Sequence, residues 1–389
     1  MHETSIVFSL FLVFTGAAVI ATATLYARQA LLIAYIALGV MIGPWGLNLI
    51  DNPALIADIA NVGILFLLFL LGLNLEPADL HKLFKEAVVV TTISSAVFGA
   101  IGLVVGLSFG FSTADSVLIG AGMMFSSTII ALKLLPTSAL HHQRMGELIV
   151  SVLLLQDMLA IVVLLGLQAM GKNQSVVSET VILVVGLPAL AAGAWFISTR
   201  VLSKLCARFD QIPEYLFLLA IGWCLGVAEI ATLIGLSHEV GAFIAGVTLA
   251  TSPIARYIAE SLKPLRDFFL VLFFVALGAG YDLGGLPSVV FPALLLAFIA
   301  VWLKPRIFQW LLRREQEKAS MAAETGSRLG QISEFSLLIV LVATDVAVMS
   351  DRAALLMQSA TILSFIASSF WIVRRYPTPI ATDKNLRRD

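Results

Sequence analysis

The sequence predicts an all-α polytopic membrane protein, and three observations carry that prediction. Hydrophobic residues make up 59% of the chain and charged residues 13%, with a mean hydropathy of +0.98, whereas a soluble domain runs at about 25% charged. The apolar residues gather into long runs, most of which reach the ~20 residues a helix needs to cross a ~30 Å hydrocarbon core. These runs lack period-2 alternation, so backbone groups in hydrocarbon are to be paired within helices rather than around a closed barrel.

Thirteen runs follow one another, at roughly 5–26, 29–46, 54–75, 86–111, 115–135, 145–170, 176–200, 215–235, 238–252, 265–281, 286–312, 328–349 and 353–373. The ninth is short. Basic residues divide unevenly between the connections. Those after odd-numbered segments, with the tail and counting the group at the end of segment eleven with this side, hold 21 of the 24 Lys and Arg residues, among them Arg144, Arg200, Arg266, Arg306, Arg328 and Arg374; Lys172 and Arg352 lie on the other side and Lys304 lies within a span. The positive-inside rule then places the N-terminus outside and the C-terminus in the cytoplasm. No basic n-region with a small-residue cleavage pattern precedes the first run, so that run is expected to stay as a span. The net charge of −1 gives no electrostatic ground for binding nucleic acid. Cys206 and Cys224 lie in or beside apolar runs and read as inert buried thiols.

An odd count suggests internal architecture. Two six-span repeats, about 5–170 and 215–373, joined by a linker helix at about 176–200, would lie in opposite orientations, as in many secondary transporters. Residues 374–389 are left as a short basic tail.

Asp157 is the most informative residue. It is thirteenth of the 26 residues in the run Met145–Met170, near the bilayer midplane, where a carboxylate costs about 2.5–3.5 kcal/mol on insertion scales. Such a group either faces a cavity and carries ions or sits in a buried ion pair that fixes packing. The fifth segment of each half carries a polar interruption, Ser126-Ser127-Thr128 in one and Gly330-Gln331-Ile-Ser333-Glu334 in the other. Interrupted helices at matching places offer half-helix ends and freed carbonyls to a cation; the blander reading has the hydroxyls back-bonding to their own helix.

Gly43-Pro44-Trp45-Gly46, Gly72-Leu73-Asn-Leu75-Glu-Pro, Ser126-Ser-Thr-Ile-Ile-Ala, Leu155-Gln156-Asp157-Met-Leu-Ala-Ile, Gly241-Ala-Phe-Ile-Ala-Gly246 and Gly330-Gln-Ile-Ser-Glu334-Phe-Ser occur in this order. The set resembles the membrane domain of Kef-type potassium:proton antiporters, in the monovalent cation:proton antiporter superfamily, over about residues 30–345. The resemblance implies a thirteen-span fold with two crossed discontinuous helices, a second domain forming a homodimer interface, and alternating access. It makes Asp157 the carboxylate that binds cation and proton in turn. Gln156 stands where electrogenic sodium:proton relatives have a second Asp, so a lone carboxylate implies one-for-one, electroneutral exchange. Ser126, Ser127, Thr128, Gln331 and Glu334 become cation-binding or site-shaping residues, and Lys304 a charge partner for Asp157 or, alternatively, a side chain that snorkels to the interface.

Glu229 reads as structural, His238-Glu239 as the opening of a helix where an acid is favourable, and His141-His142 as a solvated pair in imidazole's titration range. No Gly-x-Gly-x-x-Gly turn follows segment thirteen, so the nucleotide-binding regulatory domain of full-length Kef proteins is not expected here, either because the chain is truncated or because the protein is a short member. No catalytic triad, P-loop or metal-protease spacing occurs, which argues against an enzyme. No cofactor is required; the cargo is K⁺ or Na⁺ and H⁺, and selectivity between the two metals is not legible. The expected partners are the lipid bilayer, a second copy and a separate cytoplasmic regulatory subunit, and the expected place is a bacterial inner membrane. The rival readings are a sodium-coupled organic-anion symporter and a gated cation channel.

Overall fold

A computed structural model describes residues 6–27, 29–49, 53–73, 85–135, 144–170, 185–252 and 255–378. His141, His142, Lys172 and residues 379–389 of the basic tail lie outside the described residues. In chain order the helices are α1 (Ile6–Tyr26), α2 (Leu31–Ile42), α3 (Pro53–Leu73), α4 (Lys85–Ser108), α5 (Thr113–Met124), α6 (Thr128–Lys133), α7 (Arg144–Met170), α8 (Leu187–Ile197), α9 (Ser203–Arg208), α10 (Pro213–Leu233), α11 (His238–Leu249) and α12 (Ala255–Ala279). They continue with α13 (Val290–Phe298), α14 (Lys304–Arg314), α15 (Ala319–Arg328), α16 (Glu334–Asp345) and α17 (Asp351–Arg375). No β-strand occurs among the described residues.

The all-helical expectation holds. Among the described residues seven stretches are long and apolar enough to cross a membrane, and three shorter apolar helices, Leu31–Ile42, Val62–Leu73 and His238–Leu249, accompany them. Most apolar runs become helices within two or three residues of the expected ends. Five depart: segment seven runs on to Arg208, with its expected start outside the described residues, and the other four depart for identifiable reasons. Segment two stops at Ile42 because Gly43-Pro44-Trp45-Gly46 turns the chain, with Asn48 at φ 49° just beyond. Segment ten begins at Ala255, ten residues early, because its first turns alternate charged and apolar side chains and fall below an apolar threshold. Segment eleven contains a π turn at Ile299–Leu303. Pro305 explains it, since proline has no N–H and its ring crowds the carbonyl four residues back. Segment twelve begins at Ala319 rather than 328, since α15 is built from Ala, Ser, Gly and Glu and is half-buried within protein.

The chain divides into two compact units. The first comprises residues 1–14, 39–82 and 172–280. Within it α3 packs against α11 and α12, and α10 packs against α11. Glycine permits the closest of these contacts, because a Cβ on Gly246 would lie 2.1 Å from the Phe69 carbonyl oxygen. The second unit comprises residues 15–38, 83–171 and 281–389. There α4 packs on α5, α16 touches α5, α7 and α17, and α14 lies between α15 and α4. This unit holds both interrupted segments.

Candidate functional site

The two interrupted segments break for local reasons. After α5 the backbone turns extended at Phe125 and Ser127, and the Ser127 hydroxyl caps α6 by accepting the Ile130 N–H at 3.1 Å. After α15 the chain is irregular until Ser333, whose hydroxyl accepts the Phe335 N–H at 3.1 Å and opens α16. Ser and Thr hydroxyls at these positions take up donors that a helix start leaves unpaired.

The breaks meet each other. Ser126 Oγ donates to the Leu329 carbonyl at 2.8 Å, and Gln331 Nε2 donates to the Ser127 carbonyl at 3.2 Å. Ser336 Oγ adds a bond to the Gly122 carbonyl at 2.6 Å. The Ser126 hydroxyl therefore reaches across the crossover and that of Ser127 caps α6, while that of Thr128 faces Asp157 on α7.

A crossing of broken helices brings four half-helix ends together, two positive and two negative. Single charges sit at both kinds. The Lys304 ammonium donates to the Phe125 carbonyl at 2.6 Å and the Gln331 carbonyl at 3.3 Å, beyond the C-terminal ends of α5 and α15. The Glu334 carboxylate starts α16 and accepts the Ile129 N–H of α6 at 3.1 Å. Lys304 is fully buried, so it does not snorkel, and it makes no ion pair with Asp157 within 4 Å. Its partners are those carbonyls and the Phe98 ring, whose centroid lies 5.3 Å from Nζ.

The unbroken helix α7 passes beside this crossover with Gln156 and Asp157, both buried. Gln156 clips the first break at two points. Its Oε1 accepts the Ser126 N–H at 3.0 Å and its Nε2 donates to the Met124 carbonyl at 3.2 Å. Asp157 lies next to it, with Thr128 Oγ1 at 3.4 Å from Oδ2. That separation exceeds the ~2.7 Å of a close O–H···O bond, so the hydroxyl is near without closing on the carboxylate. Asp157 thus has a hydroxyl oxygen beside it where α7 meets the first break.

Residues not singled out in the sequence complete the site. Ser364 and Ser368 of α17 hold the second break, one accepting the Ile332 N–H at 3.1 Å and the other donating to Gln331 Oε1 at 3.1 Å. Their spacing of four in an apolar run is a helix-face signal that could have marked them. Arg328, counted above as a loop cation, is fully buried. It pairs with Glu324 at 2.7 Å and donates to the carbonyls of Leu134, at the end of α6, and Pro377, both at 2.7 Å. Elsewhere, in the first unit, His238 Nε2 lies 3.2 Å from Glu229 Oε2 on an exposed face. Cys206 and Cys224 are free and buried, and burial pushes the Cys206 thiol up from its ordinary value.

The chain is similar to known proteins in sequence and, for one solved structure, in fold. The family model described as sodium/hydrogen exchanger, transmembrane, matches residues 7–375. The iron transporter MagA of Paramagnetospirillum magneticum is 27% identical over 348 residues, which cover 89% of this chain and 80% of that protein. K(+) efflux antiporter 4 of Arabidopsis thaliana is 27% identical over 353 residues, covering 88% of this chain and 59% of its own length. K(+) efflux antiporter 6 of the same plant is 28% identical over 356 residues, covering 88% and 58%. The chain thus spans under three-fifths of the length of these two plant relatives. Among solved structures, the sodium proton antiporter MjNhaP1 from Methanocaldococcus jannaschii superposes with a TM-score of 0.70 over 94% of this chain and 96% of that one, at 16% identity. At that identity the likeness is one of fold.

Proposed function

The chain belongs to the sodium/hydrogen exchanger family, and from that premise we propose that it exchanges one proton for one monovalent cation, with both competing for Asp157. The observation that carries the proposal is the position of Asp157, a buried carboxylate on an unbroken helix with the opening hydroxyl of α6 beside it. Proton and cation each neutralise the same anion. With either bound, the site can cross between inward- and outward-facing states; the bare carboxylate, costly in low dielectric, should not.

One-for-one exchange rests on Gln156. Its amide is already engaged at both ends by the break, so it acts as a clip on the backbone rather than as a second titrating group. Glu334 is bonded to α6 and counters half-helix ends, which favours a fixed role for it. We assign K⁺ as the cargo on the names of the Arabidopsis relatives, with Na⁺, named for the structural neighbour, as the alternative. Iron, named for MagA, is not favoured, since among the described residues no three His, Cys, Asp or Glu side chains cluster to hold a metal ion. A homodimer in a bacterial inner membrane, with its C-terminus cytoplasmic, completes the proposal.

The test is a pH-dye assay in proteoliposomes under K⁺, Na⁺, Li⁺ or Rb⁺ gradients. Asp157→Asn keeps the shape of the side chain and removes its charge. Its exchange is expected to fall to the level of empty liposomes for every cation; wild-type activity in that variant would sink the mechanism.

A further inference from the structure

Away from the crossover, the second unit carries a groove of about 740 Å³ between the α13–α14 span and α17, closed at one end by α15. Its chemistry changes along its length. Leu294 and Phe298 on one wall and Leu363 and Ala367 on the other are apolar; Trp302 and Trp371 follow; Arg306 and Arg375 stand at the far end. Both spans run in the same direction and end in pairs of arginines, Arg313-Arg314 and Arg374-Arg375. The groove therefore leads from hydrocarbon depth through an indole pair to a basic rim, the order in which a bilayer leaflet changes from acyl chain to headgroup.

The rim is built to hold an anion. The Arg306 guanidinium lies over the Trp302 ring, 3.7 Å from its centroid, and donates to the Trp302 carbonyl. Arg375 lies over the Trp371 ring at 5.3 Å. Neither makes an ion pair among the described residues, and stacking on an indole orients a guanidinium while leaving N–H donors for phosphate oxygens. Water gains little in the apolar length of the groove, and no protein segment among the described residues fills it.

We propose that this groove binds one anionic phospholipid, with the phosphate between Arg306 and Arg375 and an acyl chain along Leu294, Phe298 and Leu363. The volume, within the about 300–1,000 Å³ of small-ligand pockets, takes a phosphate headgroup and part of one acyl chain, the rest of the lipid lying outside the groove. Basic pockets between membrane helices take anionic headgroups by the same physics. The bound lipid touches Pro305, next to Lys304, and Tyr376, whose hydroxyl lies 3.1 Å from Ser327 on α15. Lipid occupancy therefore braces the elements that carry the crossover.

The two tryptophans supply the readout. The full chain is reconstituted in phosphatidylcholine vesicles containing acyl-brominated phosphatidylglycerol or acyl-brominated phosphatidylcholine, and tryptophan quenching is measured. The share due to the groove is the difference from a Trp302→Phe/Trp371→Phe variant. Brominated phosphatidylglycerol is expected to half-quench that share at an about fivefold lower mole fraction than brominated phosphatidylcholine. Arg306→Gln/Arg375→Gln should abolish the preference, whereas Arg314→Gln, whose arginine stacks on Trp310 outside the groove, should keep it. Should the double variant not fold, each single variant is expected to lose part of the preference. Equal quenching by the two lipids, or a preference that survives loss of both arginines, would overturn the proposal. So would displacement of the brominated anionic lipid by inorganic phosphate, which would mean a site for a soluble anion.

Discussion

At Asp157 the cost of a carboxylate in hydrocarbon is offset by neighbours of two kinds, a hydroxyl at 3.4 Å and a backbone opened by two broken helices. Its neighbour Gln156 makes that opening permanent, because one amide satisfies a donor and an acceptor that the break exposes. Gln156→Ala leaves both buried groups unpaired. Each such group costs about 1–3 kcal/mol, so the variant is expected to lose several degrees in thermal midpoint in detergent, while Gln156 variants that keep an amide geometry lose less. An unchanged midpoint would mean that the clip is not needed. Asp157 stood out in the sequence because a carboxylate in the middle of an apolar run is costly, whether it carries ions or sits in a packing ion pair. Arg328, Ser364 and Ser368 did not. A cation near a span's edge reads as a loop charge, and a serine in an apolar helix reads as bonded to its own backbone, so only the fold shows these three holding the breaks.

Single side chains sit at ends of several elements at once. Lys304 reaches carbonyls after α5 and after α15, and Glu334 joins the starts of α6 and α16, so each compensates helix ends of opposite polarity to its own charge. Replacing Lys304 with Met keeps much of the volume and removes the charge. Hydrogen bonds from a charged group contribute about 1.5–3 kcal/mol, and thermal unfolding of Lys304→Met should show a loss of that order even when Asp157 is already Asn. A loss that vanishes in the Asp157→Asn background would instead mean that Lys304 acts through Asp157. The polar interruptions announced both breaks in the sequence. The N-terminal half of the second one was missed because α15 is too polar to register as a span, although burial against α14 and α17 makes it part of one. The π turn ahead of Lys304 was foreshadowed by Pro305, but which residues would absorb the distortion depends on packing that a one-dimensional pattern does not carry.

For the whole molecule, composition, run length and the lack of period-2 alternation together predicted an all-helical membrane protein, because a chain this apolar must pair its backbone internally and these runs do not alternate as barrel strands do. The order of short motifs narrowed it to a superfamily. The number of spans was less legible, since amphipathic helices such as α12 and short ones such as α2 and α11 blur any hydropathy threshold. The excess of basic residues on one set of connections predicts orientation, so a reporter fused after Asp389 should be active only in the cytoplasm, and activity outside the membrane would reverse the topology. The central claim, one proton for one cation at a single carboxylate, concerns the complete transport cycle. It is tested most directly by finding where net flux stops in proteoliposomes with opposed gradients. Each tenfold ratio is worth about 1.4 kcal/mol for either ion, so a roughly tenfold K⁺ gradient should be balanced by about one pH unit, at zero voltage and equally at about 100 mV. Balance at about half a pH unit, or a balance point that moves with voltage, would contradict the account.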